Sequence, residues 1–256
     1  MMNFIDTHTH LYLEQFDEDR AEVVERAIKQ GVETMLLPNI DADSIGPLWS
    51  LVDKYPNNFY PMAGLHPTSV NADYKMQLER VEQELNKRKY IAVGEIGIDL
   101  YWDKTFVNEQ KEALLFQFDL AIKHDLPVVI HSRDSFKEIM EVIESFNNAN
   151  LRGLFHCFTG TESEAKKIID KGFLLGIGGV YTFKNSGLRE ELQNISLENL
   201  VLETDSPYLT PAPYRGKRNE SAYVYYVAQK MAEEYKKSLH EIAEITTANA
   251  RKLFKI

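Results

Sequence analysis

The fold is decided first by the stretch NFIDTHTH at residues 3–10. An apolar run that suits a β-strand leads there into two histidines separated by one residue. Because side chains alternate between the faces of a strand, His8 and His10 are predicted to point the same way from one strand end. A single pair of this kind is a weak signal for a metal site, and an ordinary polar turn is the alternative.

Seven further apolar runs suit parallel strands that are buried on both faces. The eight predicted strands are Phe4–His8, Thr34–Pro38, Tyr60–Leu65, Ile91–Ile96, Val128–Ser132, Leu154–Phe158, Leu174–Gly178 and Leu200–Thr204. Amphipathic spacing between them predicts helices over Asp17–Lys29, Glu109–Lys123 and Phe136–Phe146. Alternating strands and helices indicate an α/β fold, either a closed (β/α)8 barrel or an open doubly wound sheet.

Polar residues at the ends of these runs favour the barrel. Glu95, His131, His156 and Asp205 end four of the runs, as the two histidines end the first. Convergence from five strands is natural only in a closed sheet, and such barrels carry their active site at the C-terminal strand ends. Since no linker or shift in composition interrupts the chain, we expect a single domain over residues 1–256.

Composition narrows the class of protein. The chain has 256 residues, of which 44% are hydrophobic and 27% charged, which suits one sizeable globular core. No apolar stretch has the roughly 20 residues that a membrane span needs, and the N-terminal residues do not resemble a signal peptide. With Cys157 as the single cysteine, no internal disulfide can form. We therefore expect a cytoplasmic protein without membrane contact, either a monomer or a weak oligomer.

The formal net charge is −10. Proteins that follow long stretches of duplex usually carry a basic face, because neutralising phosphates drives that binding. A nucleic-acid substrate would here have to be held locally, by metal ions and a few basic side chains. The charge therefore favours strand ends, short single strands or small phosphate esters.

Four histidines and two carboxylates at one barrel mouth point to metal. Taken singly, each residue could cap a helix, close a turn or be a satisfied core residue. Together, the desolvated imidazoles and the mutually repelling acids would be costly without a cation. The set is too large for one tetrahedral ion that keeps a water, so two ions with a bridging carboxylate fit better. Mixed imidazole and carboxylate ligands suit Zn²⁺, Mn²⁺, Fe²⁺ or Mg²⁺.

A series of motifs covers nearly the whole chain in order. They read DTHTH (6–10), GLHP (64–67), GEIGID (94–99), VIHSR (129–133), HCFTG (156–160), ETDSPYL (203–209) and RGKRNE (215–220). On these motifs the chain resembles the TatD family of metal-dependent hydrolases and deoxyribonucleases, within the amidohydrolase-like barrels. Thr9 stands where cysteine is common in that family and Ser221 where proline is usual. Neither departure removes a candidate ligand.

The resemblance implies a ligand set for two divalent ions. One ion would be bound by His8, His10 and Asp205, the other by His131 and His156, with Glu95 as the bridge between them.

Further residues are predicted to act on the substrate, His66 and Asp205 from the resemblance, and Arg133 and Arg215 from the chemistry of their side chains. Asp205 is predicted to orient the attacking water and accept its proton. Glu203 lies two residues before Asp205, so both would point to the same face of a strand, and Glu203 would share that role. The alternative is that Glu203 only forms a salt bridge within the barrel. His66 is expected to contact phosphate, and Arg133 and Arg215 to hold phosphate oxygens, since arginine suits bidentate phosphate recognition. The alternative for the run containing Arg215 is a solvated loop paired with nearby acids.

These observations predict a two-metal hydrolase that cleaves phosphodiester bonds, acting as a deoxyribonuclease on DNA ends or single strands. The alternative is hydrolysis of an ester or amide, as in D-aminoacyl-tRNA deacylases or cyclic amidases. Many cyclic amidases bridge their metals with a carboxylated lysine where Glu95 stands here, which weakens that alternative but leaves the deacylase open. A protein that binds metal without catalysis is a third possibility, and the complete ligand set argues against it.

Overall fold

A computed structural model describes residues 2–256, which form eight parallel strands that pair in chain order. The strands are β1 (Phe4–Asp6), β2 (Val32–Leu37), β3 (Phe59–Ala63), β4 (Ala92–Asp99), β5 (Val128–Arg133), β6 (Gly153–Phe155), β7 (Phe173–Ile177) and β8 (Leu200–Leu202). This order, with a helix or short turn after each strand, is that of a (β/α)8 barrel. The predicted fold class is confirmed.

Nine α-helices connect or cover these strands within residues 2–256. They are α1 (Arg20–Lys29), α2 (Ile45–Lys54), α3 (Tyr74–Lys87), α4 (Val107–Lys123), α5 (Phe136–Phe146), α6 (Glu162–Asp170), α7 (Leu188–Leu192), α8 (Val224–Tyr235) and α9 (Leu239–Phe254). Two of them begin with a reciprocal capping box, Thr161 with Glu164 and Ser238 with Glu241. These caps satisfy amide groups that would otherwise lack partners at the helix start. None of the helices in the described residues is long and apolar enough to cross a membrane.

Contacts between the first and last strands close the barrel. The amide of Thr7 donates to the carbonyl oxygen of Leu202 over 3.0 Å, and the amide of Asp205 donates to the carbonyl oxygen of His8 over 2.9 Å. Thr9 forms an isolated parallel bridge with Ser206. The segments that carry the predicted ligands therefore take part in the closure itself.

An apolar cluster fills one end of the barrel interior. Ile5, Leu36, Met62, Val129, Leu154 and Val201 contribute one side chain from each of six strands. Leu253 and Phe254, at the end of α9, join this cluster. The polar residues at the opposite, C-terminal strand ends are thereby left facing an open mouth.

The strand ends differ from prediction by a few residues. β1 stops at Asp6, so His8 and His10 lie just beyond regular strand structure. β4 instead continues to Asp99, which places Glu95 inside the strand. The ladder between β4 and β5 shifts register between Gly94 and Ile96, and this irregularity accommodates Glu95 at the mouth.

Candidate metal centre

Glu95 lies at the middle of the polar cluster, and its two carboxylate oxygens face different imidazoles. Oε2 lies 3.1 Å from Nε2 of His8 and 3.7 Å from Nε2 of His10. Oε1 lies 2.7 Å from Nε2 of His156 and 2.9 Å from Nδ1 of His131. The carboxylate thus has one oxygen directed to each of two pairs of nitrogen donors.

Within each pair the two ring nitrogens almost touch. Nε2 of His8 lies 3.2 Å from Nε2 of His10, and Nδ1 of His131 lies 3.3 Å from Nε2 of His156. Asp205 extends the first pair, since its Oδ1 lies 3.8 Å from His8 Nε2 and 3.6 Å from His10 Nε2.

The outer ring nitrogens of His10 and His131 are directed towards oxygens that orient these two rings. Nδ1 of His10 lies 3.1 Å from the hydroxyl of Tyr12, which itself donates to the carbonyl oxygen of Pro38. That hydroxyl must therefore accept from Nδ1–H, so Nε2 of His10 carries the free lone pair. Nε2 of His131 lies 2.9 Å from Oδ2 of Asp99 and donates to it. An imidazole that binds metal through one nitrogen and donates from the other is the usual arrangement in metal sites.

This donor set fits divalent cations. Buried nitrogen lone pairs at 3.2–3.3 Å from one another repel unless a proton or a cation lies between them. His8, His10 and Glu95 place one ligand atom each within 4.8 Å of one another, as do His8, His156 and Asp205. Imidazole and carboxylate are ligands that Zn²⁺ and Mn²⁺ share.

The charges within the cluster depend on one another. Burial opposes protonation of His156, but the carboxylates of Glu95 and Glu203 raise the pKa of its imidazole well above the usual range. Burial also opposes protonation of His131, and hydrogen bonds to Asp99 and Glu95 raise its pKa. Burial favours a neutral Glu95, yet the surrounding imidazoles hold the pKa of its carboxyl well below its usual value. These directions favour an ionised Glu95 beside protonated His131 and His156 in the metal-free centre.

Metal affinity is accordingly expected to rise with pH. His131 and His156 must lose their protons before they can bind a cation, so protons compete with the metal for these ring nitrogens. Because the pKa values of both rings are raised, this competition continues above the pH range of a free imidazole. Isothermal titration of Mn²⁺ at several pH values, in buffers of different ionisation enthalpy, should show protons released on binding. Affinity that does not change with pH would contradict this account of the donors.

Asp205 comes three residues after β8 and adopts a left-handed backbone conformation, with φ of 56°. Aspartate and asparagine tolerate this region better than most residues. The turn directs the carboxylate into the mouth, where its side chain is 14% exposed. Asp205 is therefore both near the imidazoles and open to solvent.

A cavity of about 690 Å³ lies above the cluster. Its lining includes His10, His66, Glu95, Asp99, Trp102, His131, Arg133, His156, Asp205 and Tyr208. The described residues thus provide an open site lined by imidazoles and carboxylates at the C-terminal strand ends, where (β/α)8 enzymes carry out their chemistry.

Comparison with known proteins places the chain in a family. The family described as TatD related DNase matches residues 5–255. The chain belongs to the TatD family. The resemblance inferred from the motifs is thereby confirmed, and this TatD-family chain is a metal-dependent hydrolase.

Relatives match the TatD-family chain over almost its full length. Bacillus subtilis YabD, named an uncharacterized metal-dependent hydrolase, is 38% identical over 252 residues, which is 98% of each chain. The Salmonella typhimurium protein named 3′-5′ ssDNA/RNA exonuclease TatD is 30% identical over 258 residues, also 98% of each chain. The crystal structure of the TatD homologue YjjV from Escherichia coli superposes with a TM-score of 0.92 at 30% identity, covering 99% of this chain and 98% of YjjV.

His66 differs from the other histidines of this TatD-family site in its hydrogen bonding. Its Nδ1 accepts from the amide of Thr68 over 3.2 Å, so a neutral ring carries its proton on Nε2. Burial lowers the pKa of His66, which favours the neutral ring. Nε2 lies 3.3 Å from Oε1 of Glu95. His66 therefore presents an N–H donor towards the centre rather than a lone pair.

Glu203 is fully buried behind the centre rather than in the mouth. Its Oε1 accepts from the amide of Cys157 over 2.7 Å and lies 3.5 Å from Nδ1 of His156. Glu203 does not line the cavity formed by the described residues. Because residues 203 and 205 would share one face of a regular strand, Glu203 was predicted to lie beside Asp205. The left-handed turn at Asp205 separates the two side chains.

The predicted phosphate-binding arginines lie in different places. Arg133 lines the cavity. Arg215 is exposed, and its guanidinium lies over the ring of Phe183 at 3.8 Å, outside the residues that line the cavity. Its neighbour Arg218 pairs with Asp19 over 2.6 Å. The structure thus places Arg133 at the cavity. Arg218 instead pairs with an acid, as expected if residues 215–218 form a solvated loop.

Sequence reasoning missed Asp99 and Tyr12, which hold the outer nitrogens of His131 and His10. Asp99 ends the GEIGID motif and lies four residues after Glu95, on the same face of β4. That spacing was a usable signal. No spacing links Tyr12 to His10, since their contact depends on the turn that follows β1.

Replacing Asp99 with asparagine is expected to weaken metal binding by about 10- to 100-fold. The asparagine oxygen can still accept the loop amides, but its NH₂ then faces Nε2 of His131 and favours the wrong tautomer. Competition with a fluorescent chelator would measure the affinity for Mn²⁺. Asp103→Asn is the matched control, because Asp103 lies in the same loop and its Oδ1 accepts from the amide of the exposed Thr105. Equal affinities in the two variants would contradict the role of Asp99.

Proposed function

We propose that this chain hydrolyses phosphodiester bonds at the ends of single-stranded nucleic acid, using two divalent ions bridged by Glu95. The observation that carries the proposal is the division of the Glu95 oxygens between two pairs of imidazoles, at 3.1 and 3.7 Å on one side and 2.7 and 2.9 Å on the other. A carboxylate with each oxygen directed to its own nitrogen donors suits a pair of ions that share one ligand.

When bound, two such ions would lower the pKa of a water and stabilise the charge that develops on phosphate oxygens. Asp205 is the group that accepts the proton of the attacking water, because its carboxylate is ionised and reaches into the mouth. Burial opposes ionisation, but His10 and the neighbouring imidazoles hold the pKa of Asp205 below its usual value. Glu203 lies behind His156, with Oε1 3.5 Å from Nδ1, and acts on the centre through its charge beside that ring.

Two residues of the cavity are suited to bind the phosphate itself. His66 donates from Nε2 to a non-bridging oxygen, since its Nδ1 is already engaged by Thr68. Arg133 adds a positive charge at the rim of the cavity. Donors placed where charge develops contribute strongly to such reactions.

The net charge of the chain and the name of one relative both favour short or single-stranded substrates. The net charge of −10 opposes binding of an extended duplex, so contacts must be confined to the mouth. The Salmonella typhimurium relative is named as an exonuclease for single-stranded DNA and RNA. For the amidase alternative, the carboxylated lysine that bridges many such sites has no counterpart, since no lysine lines the cavity in the part of the chain described.

The test is digestion of end-labelled single-stranded DNA by metal-stripped protein, with Mg²⁺, Mn²⁺ or Zn²⁺ added back. We expect a metal-dependent ladder that starts from one end and so reveals the polarity. Duplex DNA of the same sequence serves as the comparison substrate. Absence of cleavage with every metal would overturn the proposal and favour a D-aminoacyl-tRNA or another ester as substrate.

A further inference from the structure

An aromatic pair stands exposed on the loop that follows β4. Trp102 is 71% exposed and Tyr101 is 54% exposed, with perpendicular rings whose centroids lie 4.9 Å apart. Of the seven large apolar side chains exposed in residues 2–256, these two and two more, Tyr208 and Leu209, lie at the C-terminal strand ends. Trp102, Tyr208 and Leu209 line the cavity above the metal centre. Exposed apolar surface concentrated at a site mouth indicates a binding surface.

Arg133 joins this aromatic surface to the phosphate-binding part of the cavity. Its guanidinium lies 3.9 Å from the ring centroid of Tyr101 and 5.5 Å from that of Trp102. The side chain of Arg133 is exposed, and the ion pairs formed among the described residues do not include it. Stacking on the aromatic rings orients the guanidinium and leaves its N–H groups available to an incoming anion.

Asp99 fixes the position of the aromatic pair relative to the metal centre. Its Oδ1 accepts from the amides of Tyr101 and Trp102 over 2.9 and 3.3 Å. Its Oδ2 accepts from Nε2 of His131 over 2.9 Å. One carboxylate therefore connects the loop that carries the rings to a candidate metal ligand. A group bound against Trp102 lies at the rim of the same cavity that holds the reacting bond.

We propose that Trp102, supported by Tyr101 and Arg133, is a stacking surface for an unpaired nucleobase adjacent to the phosphodiester at the metal centre. The inference rests on the proposed function and names the part of the substrate that determines specificity. Every base has an aromatic face, so the surface accepts any sequence. A base within a duplex is already stacked and paired, and must leave its neighbours before it can bind there. Trp102 therefore selects single strands and frayed ends.

The test compares binding of two fluorescently labelled oligomers, a short oligothymidylate and an abasic sugar-phosphate oligomer of equal length. Fluorescence anisotropy in Mg²⁺ with the Asp205→Asn protein measures affinity without consuming either oligomer. We expect oligothymidylate to bind about tenfold more tightly than the abasic oligomer, from the typical strength of one base–aromatic stack. Adding Trp102→Ala should abolish the difference, whereas Trp102→Phe should retain most of it. Phe116→Ala, which removes an exposed ring on α4 outside the cavity, is the control and should change neither affinity.

The outcomes separate this proposal from the proposed function. Equal affinity for both oligomers, or a preference that survives Trp102→Ala, would overturn the role of Trp102 even if the wild-type protein digests DNA. A preference that depends on Trp102 in a protein that cleaves no phosphodiester would support base stacking and refute the proposed reaction. Loss of binding for both oligomers by an equal factor in Trp102→Ala would indicate a displaced loop and would also overturn the stacking role.

Discussion

Replacing Glu95 with glutamine is expected to reduce metal-dependent hydrolysis by about 10³-fold or more, because metal ions supply several kcal/mol of transition-state stabilisation. Glutamine keeps the volume of the side chain but offers one neutral oxygen and one NH₂ group. The NH₂ cannot bind a cation, so one of the two pairs of imidazoles loses its shared ligand. Steady-state hydrolysis of single-stranded DNA and of bis(p-nitrophenyl) phosphate would measure the loss.

Folding of the Glu95→Gln protein must be followed in parallel. Circular dichroism is expected to remain close to wild type, because the substitution does not change the shape of the side chain. Thermal unfolding in the presence of a chelator should occur at a lower temperature, because the buried His131 and His156 lose the carboxylate that stabilises their protonated rings. Added Mn²⁺ should then stabilise wild type more than the variant, because ligand binding to the native state raises its stability in proportion to affinity. A folded Glu95→Gln protein that retains wild-type hydrolysis would refute the bridging role.

Replacing Asp205 with asparagine is expected to lower kcat by about 10²- to 10⁴-fold, the range over which a positioned acid or base contributes. Asparagine tolerates the left-handed conformation at this position, where φ is 56°. The amide of residue 205 still donates to the carbonyl oxygen of His8, so closure of the barrel is preserved. What is lost is the charge that accepts a proton and faces the imidazoles.

Asp134→Asn is the matched control for this substitution. Asp134 is an exposed aspartate with nearly the same backbone conformation, φ of 54°, and it does not line the cavity above the centre. It should show wild-type kcat. A similar decrease in both variants would mean that the left-handed aspartates support the fold rather than the reaction.

Much of the fold could be predicted from the sequence, for a physical reason. Parallel strands buried on both faces need continuous apolar runs, and such runs are visible without knowledge of tertiary contacts. The predicted strand ends are wrong by a few residues, because hydrogen bonding to the neighbouring strands determines where each strand ends. β4 illustrates the point, since Glu95 appeared to end a strand that in fact continues to Asp99 through a register shift.

The candidate ligands could also be named from the sequence, because each follows an apolar run that carries it to the same end of the barrel. Their partners could not. The contact of His10 with Tyr12 and the displacement of Glu203 behind His156 both depend on turns whose backbone angles the sequence does not specify. The same holds for Arg218, whose pairing with Asp19 brings together residues far apart in the chain.

The central claim, that Glu95 bridges two ions, is tested most directly by a crystal structure of the Mn²⁺-loaded protein with anomalous diffraction data. We predict two anomalous peaks about 3.5–4 Å apart, the spacing typical of two-metal sites. One peak should lie beside Oε2 of Glu95 with His8 and His10, and the other beside Oε1 with His131 and His156. A single peak at full occupancy, or two peaks without Glu95 as a shared ligand, would contradict the account.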